Sequence, residues 1–190
     1  MPNTHILYGT SDKEVLINSL TSAFQAPDNV VGKVIVVTNE TDPVKLKIIQ
    51  AFFDGGCCGG SEKPQKPSQL FVLAEKSNVF VEAVRIAKKE DGVVLLSSID
   101  LSFSQDHLNE INRIFKDKNV GAIYSSEITD GRLRYNPSFS PSIKYDIQLQ
   151  HVAVRSALLS GNENRPFEVV INAFKSSVVM KLPEYYAIKQ

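Results

Sequence analysis

Short apolar runs alternate along this chain with segments whose apolar residues recur at helical spacing, and this alternation constrains the fold more than any other feature. Runs such as KVIVV (33–37) and GVVLLSS (92–98) have the composition of buried strands. Between them lie segments with helical period, as in residues 11–24. Regular alternation of this kind requires crossover helices packed on a mainly parallel central sheet. The sequence therefore predicts an α/β, Rossmann-like three-layer sandwich.

Local capping patterns predict where several of the helices begin. Ser11 and Glu14 have the spacing of a capping box. Asp42 followed by Pro43 is typical of a cap and the first helical turn. Ser104 is placed to cap a further helix, which carries apolar residues at helical spacing.

The charge balance limits which partners the chain can bind, and the cysteines indicate in which cellular compartment it works. The chain has 21 basic and 21 acidic residues, so no net field attracts nucleic acid or an anionic membrane. The apolar runs are far shorter than the roughly 20 residues that a membrane span needs, and no signal peptide is visible. Cys57 and Cys58 are adjacent, which favours free thiols over a disulfide or a zinc site. We expect a cytoplasmic protein; the sequence does not determine its oligomeric state.

Polar residues follow the predicted strands at their carboxyl ends. Thr10 follows the first strand, residues 38–42 follow the second, and Ser98 and Asp100 follow the fourth. Because ligands of mainly parallel sheets bind beyond the carboxyl ends of the strands, these residues predict a binding site. Asp100 ends a buried run, where an uncompensated carboxylate is costly. It either begins an ordinary turn or holds a cation, and we favour the cation.

Taken together, these segments resemble the GT-A fold of nucleotide-sugar glycosyltransferases, most closely the family 2 group. The resemblance is carried by ILYGTSDKEVLINSLTSAF, VIVVTNETD, the asparagine-led NVFVEAVRIAKKEDGVVLLSSIDLSFSQDHL, NVGAIYS and HVAVRSALL, which together cover about the first 160 residues. It implies one GT-A-like domain over residues 1–190, with a nucleotide-sugar-binding half (1–104) and an acceptor-side half (105–190). The chain is then either a compact enzyme or one domain of a larger multidomain transferase.

The chain departs from the family at two motifs. The D-x-D segment is Ser98-Ile99-Asp100, with serine in place of the first aspartate. In the family this motif holds Mn²⁺ or Mg²⁺ against the diphosphate, and such cations often take only one or two carboxylates. The aspartate that recognises the base is replaced by Thr38, which can still form a hydrogen bond. The resemblance thus implies a divalent cation at Asp100. His151 is either a further metal ligand or a core histidine.

The resemblance implies an enzyme that moves a sugar from a nucleotide-diphosphate donor to an acceptor hydroxyl on a glycan, with inversion. Its catalytic base is expected near the start of a late helix, where Glu163 and Glu168 are candidates and Glu168 is favoured. The predicted donor contacts are Thr10, Thr38, Asn39, Asp42, Asn78, Ser98 and Arg155. One alternative is a catalytically inactive GT-A-like module for binding or assembly. The other is a nucleotidyltransferase, but a GxGTRL-like loop does not follow the first strand.

Overall fold

The computed structural model describes residues 2–55, 66–129, 132–134, 151–162 and 164–189. Within these residues the elements, in chain order, are β1 (Asn3–Tyr8), α1 (Lys13–Gln25), β2 (Val31–Thr38), α2 (Pro43–Phe53), β3 (Ser68–Val72), α3 (Val79–Ala87), β4 (Val93–Ser98), β5 (Leu101–Phe103), α4 (Gln105–Ile114), β6 (Val120–Thr129), β7 (Arg132–Arg134), β8 (His151–Arg155), a 3₁₀ turn (Ser156–Leu158), α5 (Pro166–Lys175) and β9 (Val178–Lys189). Cys57, Cys58 and Glu163 lie outside the described residues.

The described strands form a single sheet in the order β3-β2-β1-β4-β8-β6-β9-β5, and β7 pairs with β6. Strands β1 to β4 are mutually parallel where they pair. Strand β8 is antiparallel to both β4 and β6, so β6 runs in the direction of β4, as does its parallel neighbour β9. Only β5, β7 and β8 of the described strands therefore run the opposite way. The predicted α/β sandwich on a mainly parallel sheet is confirmed.

Helices cover both faces of the sheet because strand side chains alternate between the two faces. Leu95 of β4 belongs to the core that contains residues of α1, α2 and α4. The next residue, Leu96, belongs to the second core, which contains residues of α3 and α5. Both leucines are completely buried. The sheet is thus the middle layer of three, as the alternating sequence pattern predicts.

The predicted capping box at the start of α1 is wrong. The helix begins at Lys13 and its N-cap is Asp12, so Ser11 lies one residue too early for its hydroxyl to meet the backbone N–H of Glu14. Within the described residues, the Asp12 side chain makes no capping hydrogen bond. Two other predicted helix starts are confirmed, those of α2 and α4. None of the described helices combines the length and apolar character that crossing a bilayer requires.

Candidate functional site

The carboxyl ends of β1, β2 and β4 lie side by side at one edge of the sheet, which we call the rim. Tyr8 at the end of β1 pairs with Val37 of β2 on one side and with Ser98 of β4 on the other. The backbone N–H of Gly9 donates to the Val37 carbonyl at 3.0 Å, and that of Ile99 donates to the Tyr8 carbonyl at 2.9 Å. These bonds extend the pairing into the turns, where the predicted polar residues lie.

Asp100 occupies the short turn between β4 and β5, and it is half-buried. The turn is anchored by Ile99, which is completely buried and lies near Gly9. Gly9 has φ +111°, a conformation that side-chain-bearing residues rarely adopt. Burial, and then the negative charge of Asp100, raise the pKa of the Tyr8 phenol above its ordinary value. The carboxylate of Asp100 and the protonated Tyr8 hydroxyl therefore share the centre of the rim.

The turn after β2 brings three more predicted residues to the rim, and each side chain bonds to backbone. Thr38 is buried and its Oγ1 accepts from the N–H of Glu40 at 3.0 Å. The Asn39 amide donates to the Glu75 carbonyl at 2.8 Å and to the Ser77 carbonyl at 3.4 Å, tying this turn to the loop before α3. Asp42 caps α2 by accepting from the N–H of residue 44 at 2.8 Å. Their role as donor contacts stays a prediction.

The start of α3 and the turn after β1 complete this part of the rim. Asn78 caps α3, its Oδ1 accepting from the N–H groups of Phe80 at 3.1 Å and Val81 at 3.2 Å. Thr10 follows Gly9 and is exposed to solvent. The predicted position of Thr10, Thr38, Asn39, Asp42, Ser98 and Asp100 at one edge of the sheet agrees with the structure, which adds Asn78 to them; what these residues bind stays a prediction.

The first turn of α5 reaches the same rim. Phe167 contacts Phe80 at the start of α3, with ring centroids 5.1 Å apart. Phe80 in turn contacts Tyr8, also at 5.1 Å. Glu168 therefore lies on the rim side of the molecule, where it is exposed and paired with Arg165 at 3.3 Å.

Arg155 lies at the opposite edge of the sheet. Because β8 is antiparallel to β4, Arg155 pairs with Val93, the first residue of β4. Its guanidinium donates to the carbonyls of Val120 at 2.8 Å and of Phe115 and Asp117 at 3.0 Å. It also lies over the Phe115 ring, 5.2 Å from the centroid. The structure does not bring Arg155 together with the rim residues, and it gives this side chain a structural role.

His151 belongs to a buried hydrogen-bonded network that includes all three histidines of the sequence. The Ser97 hydroxyl lies 2.9 Å from His5 Nε2 and 2.9 Å from His151 Nδ1. His151 Nε2 lies 2.8 Å from His107 Nε2. The Phe103 ring contacts all three imidazoles, at centroid distances between 4.5 and 5.7 Å. The network joins β1, β4, β8 and α4 beneath the rim.

Burial keeps these imidazoles neutral. It lowers the pKa of His5 and of His107 to about 3 and that of His151 well below the ordinary value, with neighbouring imidazoles adding to the effect on His5 and His151. Each neutral ring carries one N–H. Within the described residues His5 Nδ1 has no hydrogen-bond partner. Which atom donates in each of the three bonds is set by the ring nitrogen that carries this proton, and the Ser97 hydroxyl can donate to one imidazole while it accepts from the other.

With both ring nitrogens engaged in buried bonds, His151 matches the core-histidine alternative and does not fit a metal ligand. Within the described part of the chain, no group of three or more His, Cys, Asp or Glu side chains is arranged to hold a metal ion. The sequence analysis missed the network because its members are far apart in sequence. The sequence does contain one indication of a buried polar network, because Ser97 and His151 each lie inside an otherwise apolar strand.

The strand order, the helices on both faces and the rim at the strand ends define the class as a Rossmann-like α/β fold. The crystal structure of S. aureus TarS 1–349 matches it with a TM-score of 0.71 and 12% identity over 100% of this chain and 60% of that chain. TarS 1–349 in complex with UDP-GlcNAc matches with a TM-score of 0.68 and 14% identity over 99% of this chain and 58% of that one. TarS 1–349 in complex with UDP matches with a TM-score of 0.66 and 14% identity over 99% of this chain and 60% of that one.

At this identity the likeness to TarS concerns the fold alone. The chain spans 60% of the first of these structures and 37% of the longer TarS chain. No protein-family model matches the sequence, and no curated protein matches it.

Proposed function

We propose that this protein is a glycosyltransferase that binds a nucleotide-diphosphate sugar at the rim. The observation that carries the proposal is the position of Asp100. Its carboxylate lies in the turn after β4, next to the end of β1 and close to Tyr8, at the edge where α/β sheets bind ligands. The TarS structures support the same conclusion, since one holds UDP-GlcNAc and another UDP.

The proposed cofactor is Mn²⁺ or Mg²⁺, bound through Asp100. A hard cation takes oxygen ligands, and here Asp100 supplies a carboxylate while Ser98 lies two residues before it, at the strand end. The described residues add no acidic cluster around it. The remaining ligands would therefore be diphosphate oxygens and water, which fits a cation that binds together with the donor. When bound, the cation would offset the charge that builds on the departing diphosphate.

Glu168 is the proposed catalytic base. A general base must reach the acceptor hydroxyl and be ionised at the working pH. Glu168 is exposed on the rim side of the molecule, in the first turn of α5. Removal of the hydroxyl proton by Glu168 would let the acceptor oxygen attack the anomeric carbon from the side opposite the diphosphate, with inversion. Glu163, the second candidate, lies outside the described residues.

A catalytically inactive binding module is the second candidate function. Thr38, Asn39, Asp42 and Asn78 all bond to backbone groups, so the rim offers fewer uncommitted side chains than the sequence suggests. Ser98 in place of an acidic residue points the same way. Such a module would bind a nucleotide sugar without cleaving it.

Thermal unfolding with UDP-GlcNAc, in the presence and absence of Mn²⁺, tests the proposal. A ligand at 100 times its Kd stabilises the folded state by about 2.7 kcal/mol, which is readily measured. We expect Mn²⁺-dependent stabilisation in the unmodified chain and its loss in Asp100→Asn. The control is Asp91→Asn, an exposed aspartate just before the other end of β4. Stabilisation that is independent of Mn²⁺ and unchanged in Asp100→Asn would contradict the metal assignment.

Release of UDP separates the two candidate functions. A transferase releases UDP from UDP-GlcNAc when an acceptor or water takes the sugar. Binding without any release of UDP, over a panel of glycan acceptors, would favour the inactive module. The absence of binding to any nucleotide sugar would contradict both.

A further inference from the structure

A row of three aromatic rings leads from the centre of the rim to the surface. Tyr8 contacts Phe80 and Phe80 contacts Phe167, each with ring centroids 5.1 Å apart. Tyr8 is partly buried and Phe80 is buried, whereas Phe167 is 52% exposed. One end of the row therefore lies beside Asp100, and the other end is open to solvent.

Phe167 is not needed to close the core beneath α5. The helix already buries Val169, Val170, Ala173 and Phe174 against the sheet and α3. Phe167 instead packs on Phe80 with a tilted ring and leaves half of its surface exposed. Single exposed apolar side chains are common and need no explanation. This one is distinguished by its position at the rim, where it extends an aromatic row.

Hydrogen-bonding groups flank the exposed ring. They flank it in sequence: Arg165 lies two residues before Phe167 and Glu168 directly follows it, and their side chains are 67% and 60% exposed. Their mutual ion pair, at 3.3 Å, contributes little to stability because it is exposed. Both side chains can therefore turn to a ligand at small cost. Donors and acceptors beside an apolar ring suit a ligand that is apolar on one face and polar at its edge.

We propose that Phe167 is the platform on which the ring of an acceptor sugar stacks, with Arg165 and Glu168 bonding its hydroxyl groups. A pyranose ring has this chemistry, since it presents C–H groups on one face and hydroxyls around its edge. The proposal rests on the proposed function, because it places the acceptor on the same rim as the donor. It names the acceptor class as a pyranose-containing carbohydrate and assigns its orientation to Phe167.

Saturation-transfer NMR on the full chain tests the platform without requiring turnover. The probe is methyl β-D-glucopyranoside, and the control ligand is glucitol, which has similar hydroxyl groups but no ring face. We expect saturation of the axial C–H protons of the glucopyranoside, and none of glucitol. Phe167→Ala should weaken binding by about twofold to tenfold, the range for one aromatic contact. Phe167→Tyr, which keeps the ring, should restore it.

Val178→Ala is the matched control, because Val178 is equally exposed at the opposite edge of the sheet. It should leave saturation unchanged. Equal saturation in the unmodified chain and in Phe167→Ala overturns the platform, as does equal saturation of glucitol or no saturation of either ligand. If the glucopyranoside binds through Phe167 but no nucleotide sugar stabilises the chain, the transferase proposal fails while the carbohydrate surface stands. If UDP-GlcNAc binds and Phe167→Ala changes nothing, only the platform fails.

Discussion

Acidification from pH 7.5 to pH 5.5 should destabilise this protein through its buried histidines. His5, His107 and His151 are neutral in the folded state because burial lowers their pKa values, to about 3 for the first two. In the unfolded chain the same imidazoles titrate near 6.5. Between these values the unfolded state binds more protons than the folded state, so stability falls as the pH falls.

The magnitude follows from the linkage relation. For His5 and His107, with an unfolded pKa of 6.5 and a folded pKa of about 3, the loss of unfolding free energy between pH 7.5 and 5.5 is about 3 kcal/mol for the two together. His151, whose pKa burial lowers well below its ordinary value, adds to this loss. This is a large fraction of the 5–15 kcal/mol typical of a domain. The loss sets in as the pH falls through 6.5, the pKa of the unfolded-state imidazoles, and continues towards pH 3.

Urea unfolding at a series of pH values measures this effect. The window from pH 7.5 to 5.5 is chosen because carboxylates such as Glu40 and Glu110, whose pKa values are lowered, titrate below it. Near pH 5.5 the slope of unfolding free energy against pH should correspond to almost one proton per buried histidine. His107→Leu, which removes one imidazole, should reduce the slope by almost one proton. An unfolding free energy that is the same at pH 7.5 and 5.5 would refute the assignment of neutral buried imidazoles.

Two further predictions concern single hydrogen-bonding side chains. Ser97→Ala removes the hydroxyl that joins His5 to His151. It should lower the unfolding free energy, measured in urea, by about 2–4 kcal/mol, because two buried nitrogens lose their partner. A loss below about 0.5 kcal/mol would mean that the network does not stabilise the fold. Asp42→Ala removes the cap of α2 and should cost about 1 kcal/mol. Asp12→Ala is its control and should cost much less, since Asp12 makes no capping bond within the described residues. Equal effects of the two substitutions would argue against the cap.

Much of the fold could be predicted because its signals are local. The buried strands β2 and β4 are continuous apolar runs, and the starts of α2 and α4 depend on single capping residues, Asp42 and Ser104. The rim followed from the strand order, since parallel strands bring their carboxyl ends to one edge. Strand β5, by contrast, has three residues, too few to show any periodicity in the sequence.

The parts that could not be predicted depend on pairing between distant segments. Arg155 was placed among the donor contacts, but the antiparallel pairing of β8 with β4 carries it to the opposite edge. The histidine network joins residues 92 and 54 positions apart in sequence. Nothing in the local pattern around His5 or His107 indicates that these rings meet. The register of β4 against β8 pairs Ser97 with His151. The pairing of β1 with β4 brings His5 to Ser97, and the packing of α4 brings His107 to His151.

The pairing of β4 with β8 has a mechanical consequence. Strands β3, β2, β1 and β4 form one parallel half of the sheet, with β4 at its inner end. Strand β8 joins β4 to the other half, which contains β6 and β9. The two halves of the sheet meet at this pair, and the Ser97 hydroxyl of β4 bonds to one imidazole on each neighbouring strand, His5 of β1 and His151 of β8. Opening the molecule along this line would break the strand ladder and expose neutral imidazoles to water at once. If a nucleotide sugar binds at the rim as proposed, we expect it to enter and leave by movement of the turns and helix ends around a sheet that stays whole.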